Sequence, residues 1–237
     1  MVASCHVERP LDDRTWSRYV ALLRRRPGRV AVASLLRPPA GGEDDRIWLE
    51  RAREAAQHGP LGHHTHWTSA DHARPTSGNT GERVLREGRW MREAGLEPRV
   101  FCGGRWYFEA EVAHAVAELG YRDCTGTAFR PAYLPDGAAR LAVREPARLR
   151  LPDGGALLEL PTTHSLGAAL RGLPHRGAGR VLHVYFHDFD LLDRRRRLAV
   201  YGLLTMLGRL RRPTDLDALA AAVEADVPDL RLEDALA

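Results

Sequence analysis

Four of the eleven histidines fall in one run, Gly62-His63-His64-Thr65-His66-Trp67-Thr68-Ser69-Ala70-Asp71-His72-Ala73-Arg74-Pro75, which opens like a strand and closes like a loop. Successive side chains of a strand alternate faces, so His64 and His66 project to one side and His63 to the other. Two neutral imidazoles on one face can share a small cation, with metal to nitrogen distances of roughly 2.0 to 2.1 Å. The competing reading is a polar loop that happens to be rich in histidine. Spacing alone leaves both open, and the elements around the segment have to decide between them.

A chain of 237 residues suits a single α/β domain. Its formal charge of +4 comes from arginine alone, since lysine is absent. The arginines are dispersed among carboxylates, and the one run, Arg194 to Arg197, opens a helix. That pattern speaks against nucleic acid as a partner. Cys5, Cys102 and Cys124 are odd in number and far apart, so no disulfide framework follows. Met1 to Pro10 lacks a basic segment followed by a long apolar run, and no stretch reaches membrane-spanning length. The expectation is a cytosolic chain with no membrane partner; the sequence is silent on oligomeric state.

Two periods alternate along the chain. Val2 to Val7 reads as a strand, and Trp16, Tyr19, Val20 and Leu23 then fall at helical spacing behind a cap at Asp12 or Asp13. Arg29 to Leu36 is an almost wholly apolar strand stopped by Arg37-Pro38-Pro39. Ile47 through Ala56 carries a helix with Trp48, Ala52 and Ala55 on one side, and the histidine segment follows as the third strand. Asn79 and Glu82 form a capping box for a helix running to about Ala94, where Gly95 stops it. Arg99 to Cys102 makes a fourth strand, with Gly103 and Gly104 directly behind it. Val112, Val116 and Leu119 mark the next helix, and Tyr121 to Phe129 a fifth strand.

After this the rhythm changes. Leu149 to Leu160 reads as a hairpin with a Pro152-Asp153-Gly154 turn, placed before the final strand Val181 to Phe186. Two helices close the chain, Leu191 to Arg209 and Asp215 to Glu224, the second capped by Thr214. Arg37 to Asp45 and Leu134 to Arg148 read as mobile insertions. Strands alternating with helices require a mostly parallel sheet, open or closed, with its ligand site at the carboxyl ends of the strands. The polar residues obey this rule: Glu8 and Asp12 follow strand one, His64 and His66 close strand three, Gly103 to Tyr107 follow strand four, and His187, Asp188 and Asp190 follow the last.

With these features the chain resembles the NodB-type polysaccharide deacetylases over nearly its whole length. The resemblance rests on Glu8 with Pro10 behind it, the histidines at strand three, Gly95-Leu96-Glu97-Pro98 before strand four, Ala117-Glu118-Leu119-Gly120-Tyr121-Arg122, Leu158-Glu159-Leu160-Pro161-Thr162-Thr163, and a final strand ending His187-Asp188. It implies one domain over residues 1–237: an α/β fold, a distorted β/α barrel of about seven parallel strands with a small β-hairpin insertion before the last strand. It also implies a divalent cation, zinc before cobalt, nickel or manganese, that serves to remove acetyl groups from amino sugars. The departures are specific. Val7-Glu8 stands where the family has two aspartates, Thr68 where its second histidine falls, and Cys102 where it has an arginine.

Carried over residue by residue, the resemblance makes Glu8, His64 and His66 the metal ligands, with His72 as the alternative to His66. His6 takes the place of the missing base. His187 protonates the leaving amine, its ring held by Asp188, Asp190 or Asp123. Backbone N–H groups from Gly103 and Gly104 to Tyr107 face the oxyanion. Trp67, Trp106 and Tyr107 stack on a sugar, and Arg74 and Arg130 meet a carboxylate or phosphate. The expected substrate is a carbohydrate or small amide. Two other functions stay open: a different barrel metallohydrolase of the amidohydrolase or phosphoesterase type, suggested by His64-Thr65-His66, and a catalytically inactive carbohydrate-binding protein. Cys102 reads as a reactive thiol or, more simply, as a small core residue.

Overall fold

The apolar run Val2–Val7 is buried at every position, as a strand covered on both faces must be. Around it, in a computed structural model that describes residues 1–67, 78–131, 139–172 and 180–237, strands and helices alternate. In chain order they are β1 (Val2–Val7), α1 (Asp13–Arg25), β2 (Val32–Leu36), α2 (Asp45–Ala56), β3 (Leu61–Thr65), α3 (Thr80–Glu93), β4 (Val100–Gly103), α4 (Ala110–Glu118), β5 (Arg122–Asp123), β6 (Ala147–Arg150), β7 (Ala156–Glu159), β8 (His164–Ser165), α5 (Leu166–Arg171), β9 (His183–His187), α6 (Arg194–Leu210), α7 (Leu216–Val223), β10 (Asp229–Arg231) and α8 (Leu232–Ala235).

One sheet holds all the described strands, in the order β10-β6-β7-β5-β4-β3-β2-β1-β9-β8. Every pairing is parallel except β6 with β7. The α/β class expected from the sequence is what the chain adopts. One particular differs: the sheet is not closed by hydrogen bonds, since β8 and β10 remain its two edges. The expected hairpin forms and belongs to the sheet: β7 continues it in parallel beside β5, while β6, and β10 next to it, run the opposite way.

The helices form where the pattern requires. Asp12 caps α1 by accepting from Thr15 N, and Asn79 caps α3 by accepting from Glu82 N, each satisfying one of the orphan donors of a helix start. Trp16, Tyr19, Val20 and Leu23 are all buried, as are Trp48, Ala52 and Ala55. The Trp48 indole N–H donates to Arg37 O at 2.8 Å, which satisfies the one polar atom of a fully buried side chain.

The cap of α7 is Asp215, one residue beyond the expected Thr214, because its carboxylate reaches Ala218 N. The expected fifth strand shrinks to Arg122–Asp123. Past it, Thr125 and Thr127 spend their hydroxyls on local partners, the habit that makes threonine compete with a ladder. The expected insertion at Arg37 to Asp45 is tied down by Arg37, 3% exposed, whose guanidinium forks onto Glu43 at 2.8 and 2.9 Å. Residues 134–138 of the second expected insertion lie outside the described residues. Among the described residues no helix is long and apolar enough to cross a membrane.

Candidate metal centre

Parallel pairing puts the carboxyl ends of β1, β3 and β9 on one rim, and the polar residues that end those strands meet there. His64 Nε2 lies 3.2 Å from Glu8 Oε1 and His66 Nε2 lies 2.6 Å from Glu8 Oε2. His63 points the other way, to Glu87 on α3, as strand alternation demands. His72 lies outside the described residues.

Burial works to raise the Glu8 pKa, but the hydrogen bonds and charges of His64 and His66 outweigh it and hold the carboxyl well below the usual carboxylate range. His64 Nδ1 is 2.8 Å from the carbonyl oxygen of Cys102. A carbonyl can only accept, so Nδ1 carries the hydrogen. In the neutral ring this leaves Nε2 with a lone pair aimed at a carboxylate oxygen. Such a pair repels unless a positive charge lies between them, either a proton on Nε2, as in the hydrogen bond that lowers the Glu8 pKa, or a metal ion in its place. Ligand atoms on a tetrahedral ion with bonds of about 2.0 Å stand about 3.3 Å apart; the 3.2 Å separation of His64 and Glu8 matches that spacing, whereas His66 and Glu8, at 2.6 Å, stand closer and would have to part to admit the ion. The donor set thus fits a divalent cation, and the Cys102 carbonyl is the outer partner that fixes the His64 ring.

The register pairs His6 with His187 across β1 and β9. Their ring centroids are 5.3 Å apart, and His6 lies 4.4 Å from the His64 ring. His6 is only 3% exposed. Its Nε2 is 3.6 Å from Cys102 Sγ, although β2 and β3 stand between β1 and β4 in the sheet. The sheet therefore coils strongly enough for side chains to meet across its concave face. Burial, followed by the charges of His64 and His187, lowers the His6 pKa and keeps the ring neutral. Cys102 is fully buried and burial raises its pKa, which makes it a core thiol.

Asp188 does not hold the His187 ring. Its carboxylate accepts from Arg9 N and from Phe189 N, both at 2.8 Å, so it ties the end of β9 to the residue behind Glu8. The carboxylate near His187 is Asp190, with Oδ2 3.8 Å from Nδ1, and Asp190 also accepts from Arg196 at 2.9 Å. The short helical turn at Asp188–Leu191 decides which acid faces the ring, because it rotates Asp188 inward and Asp190 toward His187.

The expected substrate contacts need correction. Trp67 and Trp106 are 3% and 2% exposed, so neither indole presents a face to a sugar; Trp106 packs on His6 and Tyr185. The Gly103 N–H is spent on Thr125 Oγ1 at 2.7 Å. A Cβ at Gly103 would lie 2.2 Å from Tyr107 O, so this glycine serves a close backbone approach. Gly104 starts the tight turn that follows, and its carbonyl accepts from Tyr107 N at 3.1 Å. Burial and Glu109 push the half-buried Tyr107 phenol upward. Arg130 is exposed and Arg74 lies outside the described residues. What the sequence did not reveal is a cavity of about 530 Å³ beside His66, lined also by Arg83, Arg86 and Trp90 from α3. A helix face is the least distinctive place to read a binding residue, and only the packing of α3 against this rim exposes it.

Asp123 is also elsewhere. It pairs by register with Glu159 across β5 and β7, and both are fully buried. Burial raises the Asp123 pKa to about 6, and burial with repulsion from Asp123 pushes Glu159 well above its ordinary value. The pair therefore keeps a shared proton. Folded pKa values above the unfolded ones mean stability that is full in acid and lost as pH rises through about 6 and beyond. Glu159→Gln keeps an acceptor for Gly126 N and a donor for Asp123. Its melting temperature should decline less than that of the wild type between pH 5 and 8, the wild-type loss being on the order of 2 kcal/mol. Parallel decline of both proteins would show that the pair carries no proton.

No protein-family model matches the chain, and no curated protein does. Solved structures do. The CE4 domain of a multidomain xylanase from the hindgut metagenome of Trinervitermes trinervoides superposes with a TM-score of 0.53 at 11% identity, over 99% of this chain and 97% of that one. A CE4 family pseudoenzyme from Bacillus anthracis matches at 0.51 and 13%, over 98% and 67%. The chain has the CE4 deacetylase fold. A 4-alpha-glucanotransferase from Thermococcus litoralis is more distant, at TM-score 0.47 and 12% identity over 98% of this chain, which spans only 37% of that protein's length. In the CE4 fold the ends of β1, β3 and β9 share one rim in this chain, and the Glu8 cluster sits on it.

Proposed function

We propose that the chain is a metal-dependent hydrolase that removes the acetyl group from an N-acetylated sugar or a related small amide, using a divalent cation, zinc before cobalt, nickel or manganese, held by Glu8, His64 and His66. One observation carries the reading: a carboxylate and two imidazoles from separate strands converge to 3.2 and 2.6 Å. An ion held there acidifies water and polarises an acyl carbonyl. The chain's own groups arrange the rest. The Cys102 carbonyl fixes the His64 ring, and Asp188 pins the backbone behind Glu8. With one ion bound, His187, the more exposed ring of the β1 and β9 pair, is positioned by Asp190 to give a proton to the leaving amine. His6, kept neutral by burial, is the nearby nitrogen base. The cavity of about 530 Å³ beside His66 has the size of a small-molecule site, and Trp90 and Arg86 offer an aromatic face and a charge to a sugar.

A second reading, a carbohydrate-binding protein without catalysis, is favoured by Val7, an apolar and fully buried residue at the strand position where the NodB-type resemblance expects a carboxylate. A third, a phosphoesterase, follows from the His-x-His pair. An assay of the zinc-loaded chain separates them. Acetate release from a panel of N-acetylated amino sugars, abolished by His64→Ala, is the expected result. Phosphate release from sugar phosphates would transfer the site to the third reading, and tight sugar binding without turnover to the second.

A further inference from the structure

Among the described residues, three sets of ligand atoms overlap at this rim. In each set one atom per residue lies within 4.8 Å of the others: Glu8 with His64 and His66, His6 with Glu8 and His187, and His6 with His64 and Cys102. Lone pairs decide which sets can be filled together. His64 has committed Nδ1 to the Cys102 carbonyl, so Nε2 alone is left, and the first and third sets compete for it. Glu8 is different. A carboxylate has two oxygens and about four lone-pair sites, so the first and second sets can share it without conflict.

We propose that the rim holds a second divalent cation beside the first, between His6, Glu8 and His187, with the Glu8 carboxylate bridging the two ions. This rests on the reading of Glu8, His64 and His66 as the first ion's ligands. Paired ions of hydrolytic sites stand about 3.5 to 4 Å apart, a spacing that one bridging carboxylate spans. The surroundings hold the ligands in place. The His6 ring is enclosed by Trp106 at 5.2 Å and Tyr185 at 5.0 Å between centroids and cannot swing away. His187 is stacked on Phe189 at 4.7 Å, yet its side chain is 28% exposed, which leaves the second ion open to solvent on that side.

Two divalent ions bring four positive charges against Glu8, Asp188 and Asp190. Their mutual repulsion makes the second ion the weaker by roughly tenfold or more. In this two-ion state His6 and His187 are ligands.

The test is a calorimetric titration of metal-free protein with Mn²⁺, followed by electron paramagnetic resonance of the saturated sample. Two ions per chain in two steps, a spin-coupled signal, and a single step in His187→Ala are expected. Saturation at one ion without spin coupling would overturn the proposal, as would a His187→Ala protein that still takes two. If His187→Ala fails to fold, the wild-type spin coupling alone decides. The failures are distinguishable: one ion that is lost in His66→Ala but kept in His187→Ala removes only the second site, whereas no bound ion at all removes the hydrolase reading with it.

Discussion

Glu8→Gln should bind zinc at least roughly 100-fold more weakly than the wild type and should lose acetate release by about three orders of magnitude. Glu8 is an acid that both rings face, and their hydrogen bonds and charges already overcome its burial. Glutamine keeps the shape and one acceptor oxygen, so the rim should stay folded. It removes the negative charge and one of the two oxygens now facing His64 and His66 at 3.2 and 2.6 Å. An amide also brings an NH₂ group whose hydrogens point at imidazole lone pairs, so the rings lose their ion and gain hydrogen bonds.

Calorimetry gives the affinity directly. The rise in melting temperature that zinc gives the wild type should vanish in the variant, because only an ion bound to the folded state shifts that equilibrium. A Glu8→Gln protein that keeps both its zinc and its thermal response would place the ion away from this carboxylate.

How far the sequence discloses this site depends on the kind of information each residue carries. Strand period is local, so the opposite orientations of His63 and of His64 with His66 could be read from three neighbouring letters, and the structure places them so. The caps Asp12 and Asn79 are local as well. Glu8 and His187 meet through the pairing of β1 with β9, and Glu8 reaches the histidines of β3 across the intervening β2, which no spacing encodes; the resemblance to a known family supplied it.

The errors have the same origin. Asp188 and Asp190 are two residues apart and equivalent on a strand, but the turn that begins at Asp188 breaks the alternation, turning Asp188 to the backbone of Arg9 and leaving Asp190 beside the His187 ring. Trp106 stands in a loop where aromatic residues meet sugars. Positive φ angles of 48° at Arg105 and 65° at Trp106 reverse the backbone there, and the indole is buried. The Asp123 and Glu159 pair depends on register between strands 36 positions apart, a relation that neither residue announces. The hydrogen-bonded edges of the sheet are equally silent, since closing a barrel and leaving it open use the same alternation of elements.

The other large effect lies behind β3. Glu87→Ala should cost about 3 to 5 kcal/mol at neutral pH, because it leaves buried partners uncompensated. Glu87 accepts from His63 Nε2 at 3.0 Å, from Thr65 Oγ1 at 2.9 Å and from Arg83 Nε at 2.7 Å, and the His63 side chain is completely buried. Burial alone would raise the Glu87 pKa, yet His63 and Arg83 outweigh it and lower it. A lowered folded pKa means that the stabilisation is present above the unfolded value of about 4.3 and is lost as pH falls through the folded one. The deficit of the variant should therefore be full at pH 7 and should begin to shrink only as pH falls below about 4.3.

In a chain of this length, 2 to 4 °C per kcal/mol makes the drop in melting temperature about 10 °C. Since His63 faces away from His64 and His66, the zinc content of the folded variant should equal that of the wild type. Glu87→Gln, which keeps acceptor and size, should recover part of the loss. If Glu87→Ala melted like the wild type at pH 7, the three hydrogen bonds would carry no net weight; if it lost its zinc while still folded, the two faces of β3 would be coupled and the ion would depend on the packing behind it.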